Sequence, residues 1–299
     1  MNGAERLGYS PHDRLLIINA DDFGMCHSVN AAIKQLLTEQ VISSATVMMP
    51  CPWSKDAVSW AASHPSYDVG VHLTFTSEWE SYKWGPVNRN GSTLSLVDNL
   101  GHFPEHCLAV EEHANPEELR AEMISQIEMA IRAGLVPSHL DNHMGSVYGL
   151  ASGQDFLDIV FDVCAQYQLP FRMPQHGTSI PPILQPLAQQ RAELGLSKGV
   201  YILDDLIGLP YTGQPGDTYD GVKAQMTALL RSITAGLTEM ILHPAIVTDE
   251  LKSITPHWER RGMEFELFRD PDVQQVIREE GIQLIKWSEV RNAQRRSIP

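Results

Sequence analysis

Ionisable side chains stand at the ends of several short apolar runs in this sequence. In proteins built from parallel strands, the carboxyl ends of the strands form the active site. A charged or imidazole group at the end of a buried strand costs several kcal/mol unless it is paired or binds a metal. The pattern therefore predicts one shared polar site. Its candidate members are Asp21, Asp22, His72, His143 and His243.

Three of these residues form a set that suits a divalent metal ion. Two imidazoles and one carboxylate, from His72, His143 and Asp22, leave coordination positions for water. Such a set suits zinc or iron(II), and additional oxygen ligands would favour magnesium. We expect one divalent ion per chain, either magnesium or zinc.

The adjacent groups are candidates for proton transfer. Asp21 and Asp22 can reach one site only where the strand breaks, and we expect Phe23-Gly24 to supply that break. Two neighbouring carboxylates then divide their roles, with Asp22 on the metal and Asp21 free as a general base. His243 is the candidate general acid.

Further polar residues could support this site. Asp141 alternates with His139 and His143 on one strand, so it could fix the tautomer of a ligating histidine. His139 is four residues from His143, about 13 Å along a strand, and we assign it a structural or supporting role. Arg172 lies between two prolines and could bind Asp21 or a substrate oxygen.

Apolar runs and helical periodicities alternate along the chain, which favours a parallel sheet with crossover helices. About eight such units fit a closed or nearly closed (β/α) barrel formed by a single domain over residues 1–299. A doubly wound open sheet is the alternative. The predicted strands are 15–20, 42–49, 69–73, 136–143, 169–173, 200–203, 239–243 and 282–287.

Capping residues mark the clearest helices. One helix is predicted over residues 115–134, which begin with Asn115 as N-cap and a proline and end at Gly134. A second helix is predicted over residues 28–39, with Ser28 as its candidate N-cap. The remaining helices are predicted near 153–167, 183–194, 219–235 and 271–280.

Two long irregular stretches, 77–115 and 208–219, are candidates for active-site loops because long loops in compact domains are usually functional. We expect them at the carboxyl-terminal face of the barrel. Trp79 and Trp84 in the first stretch could stack on a sugar.

Composition excludes several classes of protein. The 22 basic and 37 acidic residues give a net charge of −15, which repels nucleic acid. No apolar run reaches the length of a membrane span, and the start of the chain lacks a signal-peptide pattern, so we expect a cytoplasmic protein. The four cysteines are dispersed. No nucleotide-binding or serine-hydrolase motif occurs in the sequence. We also expect that the protein could form a homodimer.

The candidate segments occur together in a recognisable order. LLIINADDFGM, GVHLT, PSHLDNHMG, FRMP and ILHPA resemble the YdjC-like carbohydrate deacetylases over most of the chain. The resemblance implies a distorted, TIM-like (β/α) barrel that removes acetyl groups from N-acetylated sugars with a divalent metal. It implies Asp22, His72 and His143 as metal ligands, Asp21 as base and His243 as acid.

The sequence departs from the family pattern after strand four. Later histidines of the motif are replaced by Gly145 and Val147. This difference affects the expected sugar specificity more than the chemistry. Two alternatives remain at this point, a metal-dependent hydrolase of another ester or phosphoester bond and a non-catalytic sugar-binding barrel.

Overall fold

A seven-stranded sheet forms the centre of the protein in a computed structural model that describes residues 1–176, 180, 182–214 and 216–297. All strand pairs are parallel, in the order β4-β3-β2-β1-β6-β5, with β7 paired to the start of β1. The strands are β1 (Arg14–Phe23), β2 (Ser44–Val47), β3 (Asp68–Leu73), β4 (Leu140–Asn142), β5 (Asp205–Gly208), β6 (Gly236–Leu242) and β7 (Gln283–Leu284).

Two irregular segments join the edges of this sheet. Leu140 of β4 bridges to Phe171, and Pro174 bridges to Leu203, just before β5. The Asp204 amide then donates to a carbonyl of β6 at 2.9 Å. The strands therefore enclose a distorted barrel, as predicted, instead of the open doubly wound sheet.

Prolines explain why several predicted strands are shorter than expected. The predicted strands 169–173 and 200–203 contribute isolated bridges only, and Pro170 and Pro174 lack the amide that a continuous ladder needs. Pro137 likewise lies in the predicted strand 136–143; β4 itself begins at Leu140, although the Ser138 amide already donates to the Val69 carbonyl at 3.0 Å. At the end of the chain, the predicted strand 282–287 is reduced to the two residues of β7 because a helix already begins there.

Twelve α-helices accompany the sheet in the described ranges, and none of them is long and apolar enough to cross a membrane. They are α1 (Gly3–Leu7), α2 (His27–Thr38), α3 (Ser54–Ser63), α4 (Cys107–His113), α5 (Pro116–Arg132), α6 (Leu157–Tyr167), α7 (Gln185–Ser197), α8 (Tyr219–Ser232), α9 (Asp249–Ile254), α10 (Trp258–Leu267), α11 (Pro271–Glu279) and α12 (Trp287–Ser297).

The predicted helix caps are correct in one case and wrong in the other. Asn115 accepts hydrogen bonds from the first amides of α5, and Gly134 follows that helix with a φ of 97°. Ser28 does not cap α2, because the helix begins one residue earlier, with Cys26 at the N-cap position. The Ser28 hydroxyl instead donates to Glu250 at 2.6 Å.

The interior of the barrel changes from apolar to polar along the strand direction. Leu15 and Ile17 of β1 pack in a buried apolar cluster with Trp287 of α12 at the amino-terminal end. Two residues further on, the side-chain amide Nδ2 of Asn19 donates to Asp21 Oδ1 at 2.8 Å. The polar groups therefore collect at the carboxyl ends of the strands, where the sequence predicted them.

The segment 77–115 is folded against the barrel. Buried Glu122 of α5 accepts hydrogen bonds from the Val87 and Asn88 amides at 3.0 and 2.8 Å. The Ser77 amide donates to the Pro104 carbonyl at 2.8 Å, so a later part of the segment lies against its beginning. These bonds give the beginning of the segment a defined position beside the strand ends.

Candidate metal centre

The end of β1 turns sharply, and both of its aspartates face the barrel interior. Asp22 has a φ of 68°, in the left-handed region that non-glycine residues rarely adopt, and the pairing with β2 shifts register between Ala20 and Phe23. The chain is therefore distorted at Asp22, inside β1, and it turns again at Gly24, which has a φ of 95° directly after the strand ends at Phe23, where the break was predicted. Strain of this kind costs about 1–3 kcal/mol and is typical of functional sites.

Three donor atoms converge from the ends of separate strands. Asp22 Oδ1 lies 3.6 Å from His72 Nε2 and 3.4 Å from His143 Nδ1. Atoms that bind one ion at about 2.1 Å lie roughly 3.0–3.4 Å apart for tetrahedral or octahedral angles. The donors are thus separated by nearly the distance that a shared ion needs, and all three residues are buried.

Each of the two histidines is held by a carboxylate on its other ring nitrogen. His72 Nδ1 lies 2.6 Å from Asp141 Oδ1, and His143 Nε2 lies 2.9 Å from Glu78 Oε2. A proton on the paired nitrogen leaves a lone pair on the nitrogen that faces Asp22. The structure thus places Asp141 against His72, while His143 uses a glutamate from the 77–115 segment.

Asp22 has one oxygen in a hydrogen bond and one oxygen without a hydrogen-bond partner. Arg261 Nη2 donates to Asp22 Oδ2 at 2.5 Å, and Asp22 Oδ1 is buried without a hydrogen-bond partner. A buried carboxylate oxygen without a partner is costly. A cation among these donors would satisfy it, so the residues present fit a divalent metal.

The charges around the donors favour anionic Asp22 and protonated His143. Burial alone would raise the pKa of Asp22, but Arg261 and His143 outweigh it and hold that pKa well below its usual range. Burial would lower the pKa of His143, but Glu78 and Asp22 raise it to about 10. A metal ion that bound His143 at neutral pH would therefore displace a proton from it.

Arg172 connects three buried carboxylates beside the three converging donor residues. Its guanidinium contacts both oxygens of Asp21 at 2.6 and 2.7 Å, Asp141 at 2.8 Å, and Glu239 at 2.7 and 2.9 Å. Burial opposes ionisation of Asp21, yet Arg172 and His72 keep its pKa below the usual range. Burial dominates at Glu239 and raises its pKa to about 7. Asp21 is therefore an oriented carboxylate throughout the neutral range.

His243 lies at the end of β6 and is partly buried beside an aromatic cluster. Burial lowers the pKa of His243 to about 4, so the imidazole is uncharged at neutral pH. Its ring centroid is 4.9 Å from that of Tyr211, which is in turn 5.0 Å from His257. Trp79 packs 6.2 Å from His257.

The remaining predicted residues lie at different distances from the donors. Trp79 is 8% exposed, and its Nε1 is buried without a hydrogen-bond partner. Trp84 is 3% exposed, donates to the Thr76 carbonyl and lies 6.1 Å from the His143 ring. His139 is deeper in the barrel, stacked 4.5 Å from Trp287, and is outside the group of converging donors.

Several residues of the site were missed by the sequence reasoning. Glu78 lies in a segment without periodicity, and Arg261 comes from α10, which no predicted element covered. Tyr211 and His257 are on connections. Glu239 could have been found, because it precedes His243 by four residues on a predicted strand and so shares its face.

Comparison with known families gives a match over most of the chain. The sequence model described as YdjC-like protein matches residues 15–279. A carbohydrate deacetylase of Thermus thermophilus is 29% identical over 295 residues, covering 98% of this chain and 99% of that protein. A carbohydrate deacetylase of Thermoanaerobacter pseudethanolicus is 27% identical over 276 residues, covering 92% and 98%.

Solved structures show the same fold. One is the crystal structure of an Enterococcus faecalis V583 protein that is described as a candidate for cellobiose-phosphate cleavage. Its sequence is 26% identical, its TM-score is 0.74, and the match covers 93% of this chain and 99% of that one. A lactam utilization protein of Thermus thermophilus has a TM-score of 0.50 at 14% identity, covering 90% of this chain and 98% of its own. The second likeness concerns the fold alone.

Proposed function

Because the chain belongs to the YdjC-like protein family, we propose that it is a metal-dependent carbohydrate deacetylase that hydrolyses the N-acetyl group of an amino sugar or oligosaccharide. The observation that carries the proposal is the convergence of three metal-donor atoms with a separate, oriented carboxylate beside them. The names of the curated relatives agree with it.

One divalent ion, magnesium or zinc, would be held by Asp22 Oδ1, His72 Nε2 and His143 Nδ1. When bound, such an ion polarises a carbonyl oxygen and lowers the pKa of water from 15.7 towards roughly 7–9. Asp141 and Glu78 orient the two imidazoles for this task, and Arg261 orients the carboxylate.

Asp21 is the proposed general base. Its carboxylate is fixed by Arg172 through two hydrogen bonds, and its Oδ2 lies 3.8 Å from His72 Nε2, next to the metal donors. The low pKa of Asp21 makes it a weak but always ionised acceptor for the proton of the attacking water.

His243 is the proposed acid for the leaving nitrogen. Since burial keeps its imidazole uncharged in the resting enzyme, the proton that it donates is the one that Asp21 takes from the attacking water and passes to His243, which is the stronger base of the two. Asp21 and Asp22 both favour the protonated form of His243, so the site stabilises that transient charge. The amine can then leave in its neutral form.

The sugar is proposed to bind against the aromatic residues beside His243. Trp79 offers a ring and a free indole N–H, and Tyr211 and His257 extend the same surface. Trp79 belongs to the segment 77–115, which we propose as an active-site insertion of a single catalytic barrel domain.

A panel of N-acetylated mono- and oligosaccharides, assayed for released acetate with and without chelator, tests the proposal. We expect acetate release that chelation abolishes and metal restores. Parallel measurement of phosphate from sugar phosphates distinguishes the phosphoester alternative. A protein that binds these sugars but hydrolyses none of them would instead be a non-catalytic binding barrel.

The Asp21→Asn variant tests the base on an established substrate. It should retain metal affinity, because Asp21 is not among the three donors, and lose about 10²–10⁴ in kcat. A near-normal kcat would show that another group accepts the proton.

A further inference from the structure

The 77–115 segment contributes one buried contact to the metal donors that the proposed reaction does not use directly. We infer that Glu78 is a positioning residue, which fixes the ring and tautomer of His143 so that Nδ1 faces the metal. This inference rests on the proposed function, since it concerns the same centre.

The contact has the geometry of a strong hydrogen bond. Glu78 Oε2 lies 2.9 Å from His143 Nε2, and the two side chains are 12% and 6% exposed. A carboxylate accepts only, so it must receive the Nε2 proton. His143 Nδ1, 3.4 Å from Asp22 Oδ1, is then the nitrogen available to a metal.

The other histidine of the centre is held in the same way. Asp141 Oδ1 accepts from His72 Nδ1 at 2.6 Å, which leaves Nε2 toward Asp22. The two rings thus use opposite nitrogens for the metal, and each choice matches the position of its carboxylate. Without an acceptor at Nε2, the His143 ring could protonate on either nitrogen or rotate about its last torsion.

Glu78 is itself held by the fold of its segment. The preceding residue, Ser77, donates its amide to Pro104 O at 2.8 Å and accepts from the Trp84 amide at 3.1 Å. Trp84 also lies against the His143 ring. The beginning of the 77–115 segment is therefore a rigid support for one ligand. In the described part of the chain, Glu78 does not belong to either group of converging donor atoms, so it acts through His143.

The inference is tested by measuring the metal affinity of the purified protein. The protein is stripped with chelator and then titrated with zinc against a chromophoric competitor. Glu78→Ala should bind zinc about 10–100-fold more weakly than wild type, as outer partners of metal-bound histidines usually do. Glu78→Gln should stay within about threefold of wild type, because its amide oxygen still accepts the Nε2 proton. Glu80→Ala, an exposed change two residues away, is the matched control and should have no effect.

A second readout does not depend on affinity. In zinc-loaded protein with ¹⁵N-labelled histidine, the Nε2–H resonance of His143 should be protected from exchange in wild type and Glu78→Gln, and exchange rapidly in Glu78→Ala. If circular dichroism shows that Glu78→Ala does not fold, Glu78→Asp replaces it with the same expectation, since its shorter side chain does not reach Nε2.

Unchanged zinc affinity in Glu78→Ala would overturn the inference. Equally weak zinc binding by Glu78→Gln and Glu78→Ala would also overturn it, because the loss of affinity would then come from the lost charge and not from the lost acceptor. These results differ from failure of the proposed function. A wild-type protein that binds no metal, or binds it and releases no acetate, contradicts the deacetylase proposal, whatever the Glu78 variants do.

Discussion

Replacement of Arg172 by methionine should destabilise the protein strongly, because Arg172 makes five contacts to three buried carboxylates. Removing one partner of a buried ion pair typically costs about 3–5 kcal/mol, since the other charge stays buried and uncompensated. Asp141 keeps hydrogen bonds to Thr46 and His72, whereas Asp21 and Glu239 lose their cation. We therefore expect a loss of about 3–5 kcal/mol at pH 7, a large part of the roughly 5–15 kcal/mol of a typical domain.

The cost should depend on pH in a defined direction. In wild type the pKa of Asp21 is lowered, so its pairing stabilises the fold above the usual aspartate pKa, and that stability is lost as pH falls through the folded value. In the variant the unpaired carboxylates have raised pKa values and become neutral as pH falls. The difference in unfolding free energy between variant and wild type should thus be smaller at pH 5 than at pH 7.

Urea unfolding followed by circular dichroism, in buffer with chelator, measures both effects. Arg231→Met is the matched control, because the Arg231 side chain is 56% exposed and its ion pair with Glu280 is as long as 4.0 Å. Loss of this pair should cost under about 0.5 kcal/mol. A loss below about 1 kcal/mol for Arg172→Met, or an equal loss at both pH values, would refute the assigned role of Arg172.

Three further predictions concern the site itself. His243→Gln should reduce kcat by about 10²–10⁴ and leave zinc affinity unchanged, as measured by acetate release and metal titration; a normal kcat would remove His243 from the mechanism. The raised pKa of His143, about 10 against an ordinary 6.5, stabilises the chelator-treated fold by up to about 5 kcal/mol below pH 6.5. This contribution is lost as pH rises through 10, so the stability gap between wild type and His143→Gln should close in urea unfolding at high pH, and a constant gap would contradict it. Trp79→Phe should raise KM by several-fold with little change in kcat, because the ring remains and the free indole N–H is lost; an unchanged KM would place the sugar elsewhere.

The barrel and the convergence of three donor residues could be predicted because both follow from periodic patterns. Apolar runs mark the strands, and parallel strands bring their carboxyl ends together, so Asp22, His72 and His143 meet although they are remote in sequence. The strand lengths were less accurate, because Pro170 and Pro174 interrupt the ladders while leaving the chain in the barrel wall.

Asp141 and Arg172 were predicted as supporting residues. Glu78 and Arg261 could not be predicted, for a different physical reason. Glu78 and Arg261 act from a loop and a late helix, where no alternation fixes the direction of a side chain. Their positions depend on tertiary contacts such as those between the 77–115 segment and Glu122. The turn at Gly24 was predicted, whereas the positive φ of Asp22 was not, because a glycine is the usual residue for that conformation.

The most direct test of the central claim is the metal stoichiometry of wild-type and Asp22→Asn protein after chelation and equilibrium dialysis against zinc. Asparagine tolerates the left-handed backbone at this position, so the variant removes the carboxylate charge while keeping the turn. Asp249→Asn, an exposed aspartate, is the control. The account predicts one tightly bound ion per wild-type and control chain and the loss of stoichiometric binding in Asp22→Asn, whereas equal binding by all three proteins would contradict it.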